Sequence, residues 1–142
     1  MTRRIDTEIL ISAPPERVWS VLTDFASYPQ WNPFIVAIEG KPEWGGRLRV
    51  RMQAGGSSHV FKPVVLQATA PAQLRWLGRL GVPGLFDGEH GFELKSEVTG
   101  TRLLQTETFQ GFLVPLLWSR VEPVTRAGFE AMNRALKDRA ER

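Results

Sequence analysis

The hydrophobic positions of the chain follow two periods, and the changes of period predict where its secondary-structure elements begin and end. Residues 4–12 alternate between polar and apolar side chains before becoming apolar, which predicts a first β-strand. The sequence Ala-Pro-Pro-Glu at residues 13–16 ends this strand. Residues 15–27 then show apolar side chains at helical spacing after a proline, and this pattern predicts a short amphipathic helix. Its apolar face consists of Val18, Trp19, Leu22 and Phe25.

A proline-containing segment follows this helix. Tyr28 and Asn32 each precede a proline, which disfavours helical backbone at the residue before it. We therefore expect extended backbone at both residues, and a second short helical turn or a loop in this segment.

Six further segments predict β-strands, each bounded by glycine, proline or a polar turn. They are residues 34–39, 47–53, 58–69, 73–79, 86–97 and 101–109. In the second of these, Leu48, Val50 and Met52 alternate with three arginines. Such alternation is typical of an antiparallel sheet with one buried face, and it indicates which positions point inward.

The last segment, residues 114–139, carries apolar residues at steps of three or four and predicts a long helix. Pro123 should kink or split this helix. Consecutive antiparallel strands curl, and one long helix with an apolar face can cover their concave side. The sequence therefore predicts an α+β fold: a curved antiparallel sheet around a C-terminal helix, with one or two short helices after the first strand.

Composition narrows the class of protein. The 142 residues are 42% hydrophobic and 23% charged, without internal repeats or long linkers, so we expect one domain over residues 1–142. No apolar run is long enough to predict a membrane span. The absence of cysteine excludes disulfides, thiolate metal sites and cysteine nucleophiles. The net charge of +3 is spread along the chain, which argues against a nucleic-acid partner.

The first twelve residues favour a cytoplasmic protein. They contain two arginines, but Asp6 and Glu8 interrupt the apolar stretch that a secretory signal requires. Monomer and homodimer both remain open.

Three segments together carry a resemblance to a known group of proteins. They are DFASYPQWNPFI at residues 24–35, GGRLRVRM at residues 45–52 and ETFQG at residues 107–111, directly before the long helix. With this element order, the chain resembles the polyketide cyclase/dehydrase group of the START-like (SRPBCC) superfamily. The resemblance implies a helix-grip fold with a cavity between sheet and C-terminal helix, which members use for lipids, sterols, plant hormones, polyketide intermediates or aromatic compounds. None of the segments is a catalytic signature, so the resemblance implies a fold and leaves the activity open.

The inward positions predict which residues contact a ligand. The periodicity alone is compatible with a filled core or a cavity, and the resemblance favours the cavity. The predicted ligand-binding residues are Trp31, Leu48, Val50, Met52, Trp76, Phe86, His90, Phe92, Gln105, Glu107, Phe109, Leu117, Val121 and Met132.

Two inward positions carry ionisable side chains. His90 interrupts an apolar strand face, and Glu107 shares its face with Leu103, Gln105 and Phe109. Each side chain has three interpretations: a buried group with a hydrogen-bonding partner, a ligand anchor, or a catalytic acid or base. They are the two candidate catalytic residues.

Motifs for metals and cofactors are absent from the sequence. His59 follows a glycine-rich turn, where we expect it to be exposed, and no short histidine spacing predicts a metal site. Nucleophile-elbow, dinucleotide-binding and phosphate-binding motifs do not occur, so we expect no cofactor.

Three functions follow from these observations. The leading hypothesis is a binding protein for a small hydrophobic ligand of lipid, sterol, polyketide or aromatic type. The alternative is a cyclase, aromatase or dehydratase that uses His90 or Glu107 and no metal or nucleotide cofactor. A third possibility is a partner-binding or chaperone-regulating domain, which would need an exposed apolar patch and no internal cavity.

Overall fold

The structure is a computed structural model that describes residues 2–142, with eight β-strands and three α-helices in the predicted order. Along the chain these are β1 (Thr2–Ile11), α1 (Pro15–Thr23), α2 (Tyr28–Trp31), β2 (Ile35–Glu39), β3 (Arg49–Ala54), β4 (Ser57–Phe61), β5 (Val64–Thr69), β6 (Gln73–Arg79), β7 (Asp87–Glu97), β8 (Gly100–Gln110) and α3 (Val114–Ala140). A short 3-10 turn at Phe25–Ser27 joins α1 to α2. Within residues 2–142, no helix is both long and apolar enough to cross a membrane.

The strands form two antiparallel sheets that continue into one another. The larger sheet has the order β1-β8-β7-β6-β5, and the smaller has the order β2-β3-β4. Leu48 N donates to the carbonyl of Pro63, and Val65 N donates to the carbonyl of Gly46, both at 2.8 Å. These bonds join the two sheets. The long helix α3 packs against β1, β8 and β3, so the curved sheet surrounds one helix. This confirms the predicted α+β helix-grip fold.

The segment predicted as one strand over residues 58–69 is two strands, and this part of the prediction was wrong. The chain leaves β4 at Phe61 and begins β5 at Val64. Pro63 between them has no N–H to donate to a strand ladder. Its carbonyl instead accepts the hydrogen bond from Leu48 N, directly before β3, and this bond helps to join the two sheets.

The prediction of extended backbone held for one of the two residues before proline. Asn32 is extended, and its Oδ1 accepts hydrogen bonds from the N–H groups of Phe34 and Ile35, each at 2.9 Å. Tyr28 is helical, contrary to the prediction. Its buried hydroxyl donates to the carbonyl of Leu22, and its ring packs 5.0 Å from that of Trp31. These buried contacts outweigh the local preference for extended geometry.

Pro123 does not split the long helix. The helix α3 runs from Val114 to Ala140 with Pro123 inside it and exposed to solvent. Its apolar stripe packs on the sheet on both sides of the proline. Near its middle, Gly128 lies so close to the ring of Phe34 that a Cβ atom there would collide with it. Burial of Val114 before the proline, and of Phe129, Met132 and Leu136 after it, compensates for the hydrogen bond that proline cannot make.

Candidate functional site

A cavity of about 690 Å³ lies between the first half of α3 and the concave face of the sheet. Strands β3, β4, β6, β7 and β8 form its other walls. Its lining residues are Phe34, Val50, Met52, Ala54, Gly55, Ser57, His59, Phe61, Pro63, Trp76, Gly78, Arg79, Leu80, Phe86, Gly88, His90, Glu107, Phe109, Leu117, Arg120, Val121, Val124 and Thr125. Buried lining residues, such as Val50 and Phe109, mark the floor, whereas exposed ones mark an opening beside β4, the end of β6 and α3.

Two facing glycines help to keep this space open. Gly78 on β6 and Gly88 on β7 lie directly opposite each other in the sheet, and both line the cavity. Neither has a side chain to fill the space between sheet and helix. A Cβ atom at Gly88 would also collide with the carboxyl of Glu107. At the floor, the two glycines therefore leave space for a ligand, and Gly88 also leaves room for the carboxyl of Glu107.

The polar part of the floor is a row across three strands. Trp76 on β6, His90 on β7 and Glu107 on β8 occupy directly opposed positions, so their side chains share the concave face. The His90 side chain is 3% exposed. Its ring centroid lies 5.1 Å from that of Trp76 and 4.8 Å from those of Phe92 and Phe129. An imidazole among aromatic rings is strongly desolvated.

A hydrogen-bond network behind this row determines the tautomer of His90. Gln105 Nε2 donates to Asn133 Oδ1 at 2.7 Å and to the carbonyl of Phe129 at 3.4 Å. Asn133 Nδ2 donates to Thr7 Oγ1 at 2.9 Å, and this hydroxyl donates to the carbonyl of Gln105 at 2.8 Å. The Thr7 hydroxyl donates to a carbonyl and so must accept from Asn133 Nδ2, which leaves Asn133 Oδ1 to accept from Gln105 Nε2. The amide oxygen Oε1 of Gln105 therefore faces His90 Nε2, 2.9 Å away. His90 therefore donates from Nε2, and in the neutral ring its Nδ1 is the acceptor.

This Nδ1 faces the carboxyl of Glu107. The distance from Nδ1 to Glu107 Oε1 is 3.6 Å, longer than a hydrogen bond, and the Glu107 side chain is 14% exposed. Burial raises the pKa of Glu107 to about 8. Burial also lowers the pKa of His90 to about 4, against the smaller opposing effect of its hydrogen bond with Gln105. At neutral pH the pair is therefore an uncharged acid beside an uncharged base.

Nine of the predicted ligand-binding residues line this cavity. They are Val50, Met52, Trp76, Phe86, His90, Glu107, Phe109, Leu117 and Val121. In β3, β7 and β8, the alternate residues that were predicted to point inward do point inward in the structure. Whether these side chains contact a ligand stays a prediction.

The other five predicted residues lie outside the cavity lining. Leu48, Phe92, Gln105 and Met132 are buried in the hydrophobic core or its polar network. Their side chains are buried, as predicted, but they are packed in the interior and do not line the cavity. Trp31 packs against Tyr28 and borders a separate depression near α1 and the end of α3.

Several lining residues were not predicted from the sequence. His59 is exposed, as expected, but its position is at the rim of the cavity. Arg79 is the last residue of β6 and Leu80 follows it directly, whereas Arg120 precedes Val121 on α3. Of these residues, Arg120 could have been found from the sequence, because it lies beside the apolar stripe of the predicted helix.

Among residues 2–142, no group of three or more potential ligand side chains could hold a metal ion.

The sequence matches one protein family over almost its full length. Residues 2–141 fit the family described as polyketide cyclase / dehydrase and lipid transport. The chain belongs to this family. The predicted resemblance to the START-like polyketide cyclase/dehydrase group is thereby confirmed. No curated protein matches the sequence.

Solved structures place this polyketide cyclase / dehydrase family member among START-like folds. The Zhui aromatase/cyclase from Streptomyces sp. R1128 superposes with a TM-score of 0.83 at 18% identity, over 100% of this chain and 95% of the other. A START superfamily protein from Mycobacterium smegmatis superposes with a TM-score of 0.75 at 25% identity, over 97% of each chain. The chain spans about half of the di-domain aromatase/cyclase BexL: 99% of this chain covers 49% of that one, with a TM-score of 0.73 and 17% identity. These similarities establish the fold of the family member.

Proposed function

We propose that this protein binds a small hydrophobic molecule in the cavity between the sheet and α3. The observation that carries the proposal is an apolar space of about 690 Å³ with a single polar row at its floor. That volume lies within the range of about 300–1,000 Å³ typical of small-molecule sites. Burial of the ligand's apolar surface supplies the affinity.

Glu107 gives the ligand a preferred orientation. Its carboxyl is protonated at neutral pH, because burial raises its pKa to about 8. The distance of 3.6 Å to His90 is too long to use this proton in a hydrogen bond. The proton is therefore available to a ligand carbonyl, hydroxyl or ether oxygen. Such an oxygen at the floor would accept the hydrogen bond from Glu107, while the apolar groups of the ligand would pack against Met52, Phe109 and Val121.

Filling the cavity tests this proposal. Val121→Trp places an indole in the space, and we expect it to weaken binding of the fluorescent apolar probe N-phenyl-naphthylamine by about ten-fold or more, since the probe's volume is occupied. Val98→Trp, in the exposed turn between β7 and β8, is the matched control and should bind like the wild type. Circular dichroism checks that both variants are folded. Unchanged binding by Val121→Trp would show that the cavity is not the binding site.

Acid–base catalysis is the second candidate function, and the pairing of Glu107 with His90 favours it. A carboxyl with a pKa of about 8 can donate a proton near neutral pH, and the unprotonated Nδ1 of His90 can accept one. For a β-hydroxy ketone, His90 would remove the proton next to the carbonyl as the carbon–carbon double bond forms. The hydroxyl would leave as water with the proton of Glu107. Proton transfer from His90 back to Glu107 restores the neutral pair.

A β-hydroxy aryl ketone tests this second candidate directly, because its dehydration gives a conjugated enone with a new ultraviolet absorption. Turnover by the wild type that disappears in both Glu107→Gln and His90→Gln, with binding retained, would support catalysis. Absence of turnover with intact binding would leave the binding function and exclude dehydration of this substrate class.

A further inference from the structure

The charged lining residues of the cavity are arranged by depth. The two guanidinium groups, of Arg79 and Arg120, belong to exposed residues at the opening, on β6 and α3. Glu107 supplies the one carboxyl among the lining residues, and it lies at the floor on the far side of the apolar walls. The opening thus combines two cations with no lining carboxylate.

Arg120 is the freer of these two cations. Among residues 2–142, its side chain makes no hydrogen bond or ion pair within the protein, although its neighbours Leu117, Val121 and Val124 on α3 all line the cavity. Arg79 Nε lies 3.7 Å from Asp87 Oδ1, which partly neutralises it. Asp87 is not a lining residue. A negatively charged group at the opening therefore meets two guanidinium groups, one of them unpaired.

An anionic group cannot be accommodated equally well at the floor. The surroundings there are aromatic rings, and no arginine or lysine is among the residues that line the floor. Transfer of an ion into such surroundings without a partner is strongly unfavourable. At the opening the same ion keeps part of its hydration and gains charge-assisted hydrogen bonds from arginine. The exposed apolar residues Leu80 and Val124 also line the opening.

We propose that the ligand of this cavity is an amphipathic anion, with a carboxylate or similar acidic group at the rim near Arg120 and Arg79 and an uncharged oxygen-bearing end at Glu107. This inference rests on the proposed binding function and specifies its ligand class. It gives the ligand a direction: the charged end remains at the opening, and the apolar body enters first.

Two fluorescent probes that share the same rings separate charge recognition from apolar binding. Anilinonaphthalene sulfonate is anionic, and N-phenyl-naphthylamine lacks the acidic group. We expect Arg120→Gln to weaken binding of the sulfonate about five-fold, the effect of losing one partly exposed ion pair, and Arg79→Gln to weaken it less. Neither substitution should change binding of the neutral probe.

Arg134→Gln is the matched control. Arg134 is exposed on the same helix, outside the cavity lining, and its substitution changes the net charge by the same amount. Its sulfonate affinity should equal that of the wild type. Equal losses for both probes in Arg120→Gln, or no loss for either probe, would overturn the inference while leaving the binding function intact. Failure of the neutral probe to bind the wild type, or its unchanged binding to Val121→Trp, would instead overturn the binding function and this inference with it.

Discussion

Replacing Glu107 by glutamine tests the protonation state at the cavity floor. Burial raises the pKa of Glu107 from an ordinary 4.5 to about 8. The folded protein therefore holds this proton more tightly than the unfolded chain does. The contribution of the protonated Glu107 carboxyl to the free energy of unfolding is fully present below pH 4.5 and is lost as the pH rises through about 8. Glutamine resembles the protonated acid in shape and does not titrate, so Glu107→Gln should remove this loss.

The size of the effect follows from the two pKa values. A difference of one unit corresponds to about 1.4 kcal/mol. From about pH 6 upward the unfolded carboxyl is already ionised, whereas the buried one ionises only as the pH passes about 8. Between about pH 6 and about pH 8.5 this difference lowers the stability of the wild type by about 2–3 kcal/mol. His90 acts at the other end of the range, because its lowered pKa makes stability fall as the pH drops from 6.5 to about 4. It does not contribute above pH 6.5.

Urea denaturation followed by tryptophan fluorescence measures this difference. Stability should decline more steeply with pH in the wild type than in Glu107→Gln over this alkaline interval. Glu130→Gln, on the exposed side of α3, is the control and should decline like the wild type. Parallel declines of the wild type and Glu107→Gln would mean that the carboxyl is already ionised in the folded protein at neutral pH, and the description of a neutral pair would be wrong.

Two further substitutions test the packing behind the cavity. Gln105→Leu leaves His90 Nε2 and Asn133 Oδ1 without partners, so the free energy of unfolding should fall by about 2–3 kcal/mol; a denaturant titration that gives less than about 0.5 kcal/mol would refute the network. Gly128→Ala should destabilise by about 1–3 kcal/mol although alanine is the better helix former, because its Cβ atom meets the ring of Phe34. Combining Gly128→Ala with Phe34→Leu should recover part of that loss in a double-mutant cycle, and additive effects would contradict the contact.

The inward side chains of the sheet were predictable because alternation is a local property of a strand. The pattern in β3 and β8 pointed Val50, Gln105 and Phe109 toward the helix, and all three are buried there. The same reasoning pointed His90 and Glu107 inward. It could not reveal that they are directly opposed, since that depends on the register between β7 and β8.

Local rules failed where buried contacts opposed them. The residue before a proline prefers extended backbone, but Tyr28 is helical because its hydroxyl and ring are both satisfied in the core. A proline inside a helix removes a hydrogen bond, but α3 continues through Pro123 because its apolar stripe packs on both sides. In each case the burial of side chains outweighed the local preference of the backbone.

The order of the elements, the inward parity of the strands and the apolar stripe of the last helix were properties of the sequence itself, because each depends on neighbours within a few residues. The location of the cavity was decided only by the tertiary structure. Phe34 and Phe129 fill one half of the interior, with ring centroids 5.6 Å apart, whereas the facing glycines Gly78 and Gly88 help to leave the other half open. Whether interior space is filled depends on which side chains meet across the sheet and helix, and local periodicity does not contain that information.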